Sequence, residues 1–494
     1  MALVWTYDTA AHLLRRAWFG HNGLYTKNSG EARQVRFLAN LSQAAAVDFL
    51  LNIPVSKTRG PGGLNGDDNV AFAKLQKWWL DRMWMTRNPL REKMVLFLHT
   101  HFATARSKVN KPMYMAVQNA LFREFAVGDF RELVKRATVD AAMLWWLDGN
   151  LNKVGKPNEN YARELQELFT IGVFDFNGQP NYAQDDVKQA ARILTGWRFR
   201  EDKGKIIVEF RPGRHDPDPK TVYAPVPGET PNQNASNAFT TNGVTPPPEL
   251  EYALLVDKIF DHTDTEGKPT AARYIARKMW KFFAYDPQVD IATPRADLTL
   301  IDDLATAFKG NNYSLASLLR AMFLRDEFYA DATRTVKSPT EYVIGTIRML
   351  SGKVVRNTHN NLGSDTVASM GQDLFNPPDV FSWRGNQRWV TTQTLLKRYD
   401  FARDFAQGDK GRHSELGFNP NTYLDTNETT RAGVVDRFLK LLGPLMVDGP
   451  TKTQLINWLG ATDGDMHLTD PNYVQVYVRG LVNLILTLPH YHVH

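Results

Sequence analysis

The chain contains no cysteine. That excludes disulfides, thiolate nucleophiles and zinc–thiolate centres, and it fits an exported protein as well as a cytosolic one. No apolar run reaches the ~18 residues of a membrane-spanning helix. The N-terminal Met1-Ala2-Leu3-Val4-Trp5-Thr6-Tyr7-Asp8 lacks a basic region followed by an apolar stretch, so no signal peptide is visible. Both periplasmic or exported and cytoplasmic localisation stay open. Runs of like charge are also missing. The net charge of +6 is spread over 494 residues, without the concentrated basic stripe that a nucleic-acid partner requires.

What is present is a large apolar fraction, 43% of residues, more than one compact core usually absorbs. Four regions are read within one continuous unit: a helical region over 1–200 that carries the main polar motifs, a β-hairpin and loop insertion over 201–250, a second helical region over 251–405, and an irregular segment with C-terminal helices over 406–494. Apolar spacing predicts helices over 8–20, 34–51, 69–85, 89–105, 112–126, 129–147, 158–171 and 183–195. Gly172 and Gly196 stand where C-terminal glycine caps belong. Residues 205–210 read as a strand, with 221–223 as its partner, and 225–249 as a loop. Helices resume over 250–261, 269–284, 296–309, 313–328, 338–351, 391–405, 431–443 and 471–487. The fold class is mainly α: a large multi-helical array with a small β-hairpin insertion near 205–224. The twelve tryptophans build an aromatic core or line a groove for sugars.

The segment Asn158 to Gly172 is the most informative. With Asn160 at zero and about 100° per residue, Glu164 falls near ~40° and Glu167 near ~−20°. Tyr161, Leu165 and Leu168 gather on the far side. Two carboxylates and an amide thus share a face that meets either water or a cleft. Pairs such as Glu159 with Arg163, and Arg163 with Glu167, suit a solvated face. A cleft would make the carboxylates acid–base groups or metal ligands.

Other polar clusters accompany it. In His99-Thr100-His101 on a helix only one ring can face a given site, and His101 shares a stripe with Met94, Leu98 and Ala105. Asp185-Asp186 opens a helix, where it serves as a cap or a carboxylate source, and Arg192 follows as a candidate anion clamp. Arg214 to Thr221, a loop, gathers His215, Asp216, Asp218 and Lys220. Asn376 to Gly385 is a proline-rich, aromatic loop holding Trp383, and Arg59 to Gly66 is a glycine-rich loop without the lysine-serine/threonine of a phosphate-binding motif. The terminal His490, His492 and His494 read as an adventitious metal binder.

These pieces together resemble the DUF1800 family of bacterial proteins. The matching stretches are His12 to Gly20, Lys93 to Ala103, Asn158 to Gly172, Asp186 to Trp197, His215-Asp216, Lys337-Ser338-Pro339 and Phe375 to Trp383. Ser382-Trp383-Arg384-Gly385 replaces the more usual Gly-Trp-Pro-Gly, and His215-Asp216 is followed by Pro-Asp-Pro where a glycine turn is typical. The resemblance implies a predominantly helical fold, members that are often exported or envelope proteins, and sulfatase-like partner proteins. It implies no particular reaction.

Three functional readings follow. The first is a hydrolase acting on a polymeric or cell-envelope substrate such as a polysaccharide. Its catalytic carboxylates are drawn from Glu164, Glu167, Asp186 and Asp216, with Asn160, Arg192, Trp197, Lys220 and Trp383 binding substrate. Glu164 and Glu167 lie one turn apart, so one of them would pair with Asp186 or Asp216 across the cleft. The second is a metal-dependent enzyme holding one divalent ion on His101 and His215 with the carboxylates. The third is a non-catalytic envelope binding or assembly protein.

Overall fold

The computed structural model describes residues 3–493 apart from 24, 27–29, 55–59, 65–67, 225–237, 243–245, 331–334, 351–363, 408–417 and 426. Most of the 225–249 loop, parts of the glycine-rich loop and of the 406–430 segment, and His494 lie outside the described residues.

The fold is mainly α, with small two-stranded sheets. Helices occupy the expected places, and two expected helices are each divided by a cap. Residues 34–51 become Arg33–Ala39 and Gln43–Leu51, because the Ser42 hydroxyl accepts the Ala45 N–H at 3.2 Å and starts a new helix. Residues 129–147 become Phe130–Thr138 and Ala141–Trp146, split by Asp140, whose carboxylate accepts the Met143 N–H at 3.0 Å. The short helices Ser364–Ser369 and Gly449–Trp458 were not foreseen. No described helix is long and apolar enough to cross a membrane.

The β insertion pairs differently from expectation. Lys205–Phe210 forms an antiparallel hairpin with Trp197–Asp202, not with 221–223. The reason is local. Asp202 pairs directly with Lys205, leaving Lys203 and Gly204 as a two-residue turn with φ of 49° and 73°, the positive values that such hairpin turns use. Lys220–Val222 instead pairs with Phe239–Thr241. Tyr223, with φ of 58°, then leaves the strand, and its N–H is held by Asp186 Oδ1 at 2.6 Å.

Buried apolar side chains form one connected cluster from Ala10 to Tyr491. Trp79 and Trp280 are fully buried within it, so most of the aromatic content serves packing, at roughly 3 kcal/mol for each large side chain removed from water. Distant motif pieces meet in this core. Lys93 pairs with Glu341, Arg16 donates to Thr335 Oγ1 at 3.3 Å, and the Lys337 N–H donates to the His492 carbonyl at 2.8 Å.

Candidate functional site

The helix Glu159–Glu167 is capped by Asn158, whose side chain accepts the Asn160 N–H at 3.0 Å. It buries Tyr161, Ala162, Leu165 and Gln166, the face that the 3.6-residue period assigns to the core. Its polar face divides in two. Asn160 is exposed. Arg163 reaches Glu159 at 3.5 Å and Gln184 at 2.8 Å, so that edge is a solvated, paired surface. Glu164 and Glu167 turn inwards. Glu167 accepts the Tyr182 hydroxyl at 3.2 Å. The Glu164 carboxyl makes no hydrogen bond or ion pair with any described residue. Burial, then the neighbouring Glu167 charge, raise its pKa from 4.5 to about 7 against the opposing pull of Arg163.

The end of this helix leaves carbonyls without intrahelical partners, and three side chains from distant segments satisfy them. The Tyr274 hydroxyl donates to the Glu167 and Leu168 carbonyls, both at 3.1 Å. Lys278 Nζ donates to the Leu168 carbonyl at 3.1 Å, and His101 Nε2 to the Phe169 carbonyl at 3.0 Å. That bond fixes the proton of His101 on Nε2 and leaves Nδ1 as a buried lone pair without a donor. Burial, and then the Lys278 charge, hold His101 neutral, far below its ordinary pKa. Gly172 closes the turn at φ of 79°, where a Cβ would stand 3.0 Å from the Tyr274 ring.

Tyr274, Arg277, Lys278 and Lys281 form one stripe of the helix Thr270–Phe283 and line a cleft of about 760 Å³ together with His101, Trp383, Arg384 and Arg388. A smaller cavity of about 350 Å³ shares Tyr274, Arg277 and Phe381 with it and is lined by Glu167. Glu167 from the carboxylate helix, His101 from the histidine helix Pro89–His101 and residues 381–389 thus line a space of two cavities that share Tyr274, Arg277 and Phe381.

The family model described as "Protein of unknown function (DUF1800)" matches residues 12–493. The chain belongs to the DUF1800 family. No curated protein and no solved structure matches it. The DUF1800 motif residues divide between this space and the framework around it. Trp383 lines the cleft. Asp186, by contrast, is buried with its carboxylate accepting the Ala183 N–H at 2.8 Å and the Tyr223 N–H at 2.6 Å, which makes it a helix cap that also anchors a strand end. Asp216 is clamped by Arg192 through bonds of 2.8 and 3.1 Å. His215 donates from Nδ1 to the Thr195 carbonyl at 3.0 Å, and its Nε2 lies 3.3 Å from both Lys220 Nζ and Glu251 Oε2. Lys220 in turn donates to Glu251 at 2.8 Å, both side chains fully buried. Trp197 packs on Phe210 and Tyr252.

The loop pieces Arg192, His215, Asp216 and Lys220 thus satisfy one another. Neither Asp186 nor Asp216 is free to oppose Glu164, and the expected gathering of His101 and His215 around an ion does not form: His215 Nε2 faces Lys220 and Glu251, and His101 is held on the Phe169 carbonyl. Among the described residues, no group of three or more His, Asp or Glu side chains could hold a metal ion. Ser382 sits at φ of 62°, fully buried, with its hydroxyl unpartnered, a conformation in which glycine would be unstrained.

Sequence reasoning missed Tyr182, Tyr274, Lys278 and the arginines of the 376–389 loop. For one set the signal was present: Tyr274, Arg277, Lys278 and Lys281 recur at i, i+3, i+4 and i+7, the same one-face spacing that singled out Glu164 and Glu167.

Proposed function

We propose that this DUF1800 protein is a hydrolase acting on a polymeric substrate of the polysaccharide class, with Glu164 as its proton-transfer group. The observation that carries the reading is a partnerless, half-buried carboxyl whose pKa lies near neutrality, one helical turn from Glu167, which lines the smaller cavity. A group poised there gives and takes protons at comparable cost. In the proposed step a water molecule adds its hydroxide to the reacting carbon. The bond to the leaving oxygen breaks, that oxygen takes the proton of Glu164, and the proton released by water passes to the Glu167 carboxylate. Proton exchange between the two neighbours restores the starting state. Tyr182 holds Glu167 in place, and Phe381 and Trp383 offer apolar faces for sugar rings. Because both glutamates project from one helix, they do not straddle a bond as paired glycosidase carboxylates do, and the roles fall on one acid and its immediate proton acceptor.

The test is reducing-end release from a panel of soluble polysaccharides by the wild-type protein and by Glu164→Gln. General acid–base catalysis contributes roughly 10²–10⁴-fold, so a loss of that size with an unchanged circular dichroism spectrum and a melting temperature no lower than that of the wild type supports the assignment. No release from any member by the wild-type protein, or equal release by the variant, overturns it.

A further inference from the structure

The 760 Å³ cleft has a charge imbalance that the proton-transfer reading does not use. Five basic side chains line it, Arg277, Lys278, Lys281, Arg384 and Arg388, of which Lys278 has its pKa lowered to about 7 by burial and then by the Lys281 charge. Arg277 is matched by Asp290 through bonds of 2.8 and 2.6 Å, and Lys281 by Asp286 at 2.5 Å. Glu341, the other acid in the lining, is engaged by Lys93. Lys278, Arg384 and Arg388 have no carboxylate partner among the described residues. Lys278 is only partly exposed, at the end of the carboxylate helix, whereas Arg384 and Arg388 are exposed on the facing loop. Arg384 lies over the Phe381 ring at 5.7 Å, which presents its guanidinium edge to a ligand. The site therefore lacks an anion for its cations.

We infer that the cleft binds an oxoanion, its carboxylate, phosphate or sulfate group held between Lys278 and the pair Arg384 and Arg388. A polymer that carries such groups is an acidic polysaccharide, so the inference names the substrate class of the proposed hydrolase and, as a substrate assignment, rests on that reading. Binding itself is independent of turnover. The guanidinium groups take the oxoanion through paired N–H donors, and Phe381 and Trp383 flank the sugar ring. The aromatic and cationic groups come from one loop, Phe381 to Trp389, facing one helix, so a ligand that bridges them would bury both kinds of surface together.

Titration calorimetry on the wild-type protein tests this with polygalacturonate, dextran and inorganic phosphate. Polygalacturonate should bind at least about tenfold more tightly than dextran, and weaken as salt is raised. Arg384→Ala, Arg388→Ala and Lys278→Met should each weaken it by about tenfold or more, while the remote, exposed pair Lys153→Ala and Lys156→Ala leaves it unchanged. Phosphate binding with the same mutational pattern, without polygalacturonate binding, supports the oxoanion site and assigns it to a small ion. Equal affinity for dextran, no binding of any probe, or an equal loss in the Lys153 and Lys156 variant overturns the inference. Because binding is measured without catalysis, an inactive protein that binds polygalacturonate at these residues refutes the hydrolase reading alone.

Discussion

Glu164→Gln should stabilise the protein in alkaline solution and leave it unchanged in acid. In the fold the Glu164 pKa is raised from 4.5 to about 7, first by burial and then by Glu167. A raised carboxyl pKa means that the protonated form fits the fold, so stability is fully present below pH 4.5 and is lost as pH rises through 7. At roughly 1.4 kcal/mol per unit the full shift corresponds to ~3 kcal/mol. The carboxyl is only half-buried, and water screening reduces this to ~1–2 kcal/mol. Glutamine is neutral at every pH and removes the cost. Urea unfolding of the two proteins should therefore coincide at about pH 4 and differ by ~1–2 kcal/mol in favour of the variant at about pH 8. Infrared pH-difference spectra provide a direct check: a protonated carboxyl band should titrate near 7, vanish in Glu164→Gln, and shift to lower pH in Glu167→Gln, where the second cause is gone. A wild-type band lost at ordinary carboxylate pH, or a stability difference that does not change with pH, would refute the reasoning.

Two further outcomes follow from the framework. Ser382→Gly should raise the urea midpoint, adding ~1 kcal/mol, because it relieves a left-handed backbone and removes a buried hydroxyl without a partner; a lower midpoint contradicts that account. Glu92→Gln should cost ~3–5 kcal/mol, read by the same unfolding curves, since the 1%-exposed carboxylate holds Arg82 and Arg123 at 3.1 and 2.7 Å and the Trp79 indole at 3.1 Å.

Much of the fold was legible because local rules governed it. Lys205–Phe210 is a strand rich in β-branched residues, with the boundaries read from its residues. Gly196 takes a positive φ of 96° where a Cβ would meet the Phe210 ring at 2.8 Å, as its place after a helix implied. The strand Trp197–Asp202 was overlooked although aromatic and charged residues alternate at its start, because the hairpin turn Lys203-Gly204 lacks the usual Asn-Gly or Asp-Gly. The breaks at Ser42 and Asp140 interrupt otherwise continuous apolar periodicity. A cap acts through one side-chain hydrogen bond, and hydrophobic spacing carries no trace of it.

The site was half legible, and the boundary is physical. Periodicity separates the apolar face of Glu159–Glu167 from its polar face, yet it says nothing of what the polar face meets. Glu159 and Glu164 are the same residue type on one helix, and one is paired in solvent while the other is drawn inwards. What separates their fates is the arrival of Tyr182, Tyr274 and Lys278, two of them more than a hundred residues downstream. Those same contacts tie up the last carbonyls of the helix, so they fix its position whether or not Glu164 reacts. A purely structural role for the polar motif would require capping groups and satisfied carboxylates only. The capping groups are there, and Asp186 and Asp216 are satisfied. Glu164 is not, and a half-buried carboxyl left partnerless beside Glu167 costs stability that the framework does not need. That uncompensated cost is what selects Glu164, rather than the other carboxylates of the motif, as the group to test first.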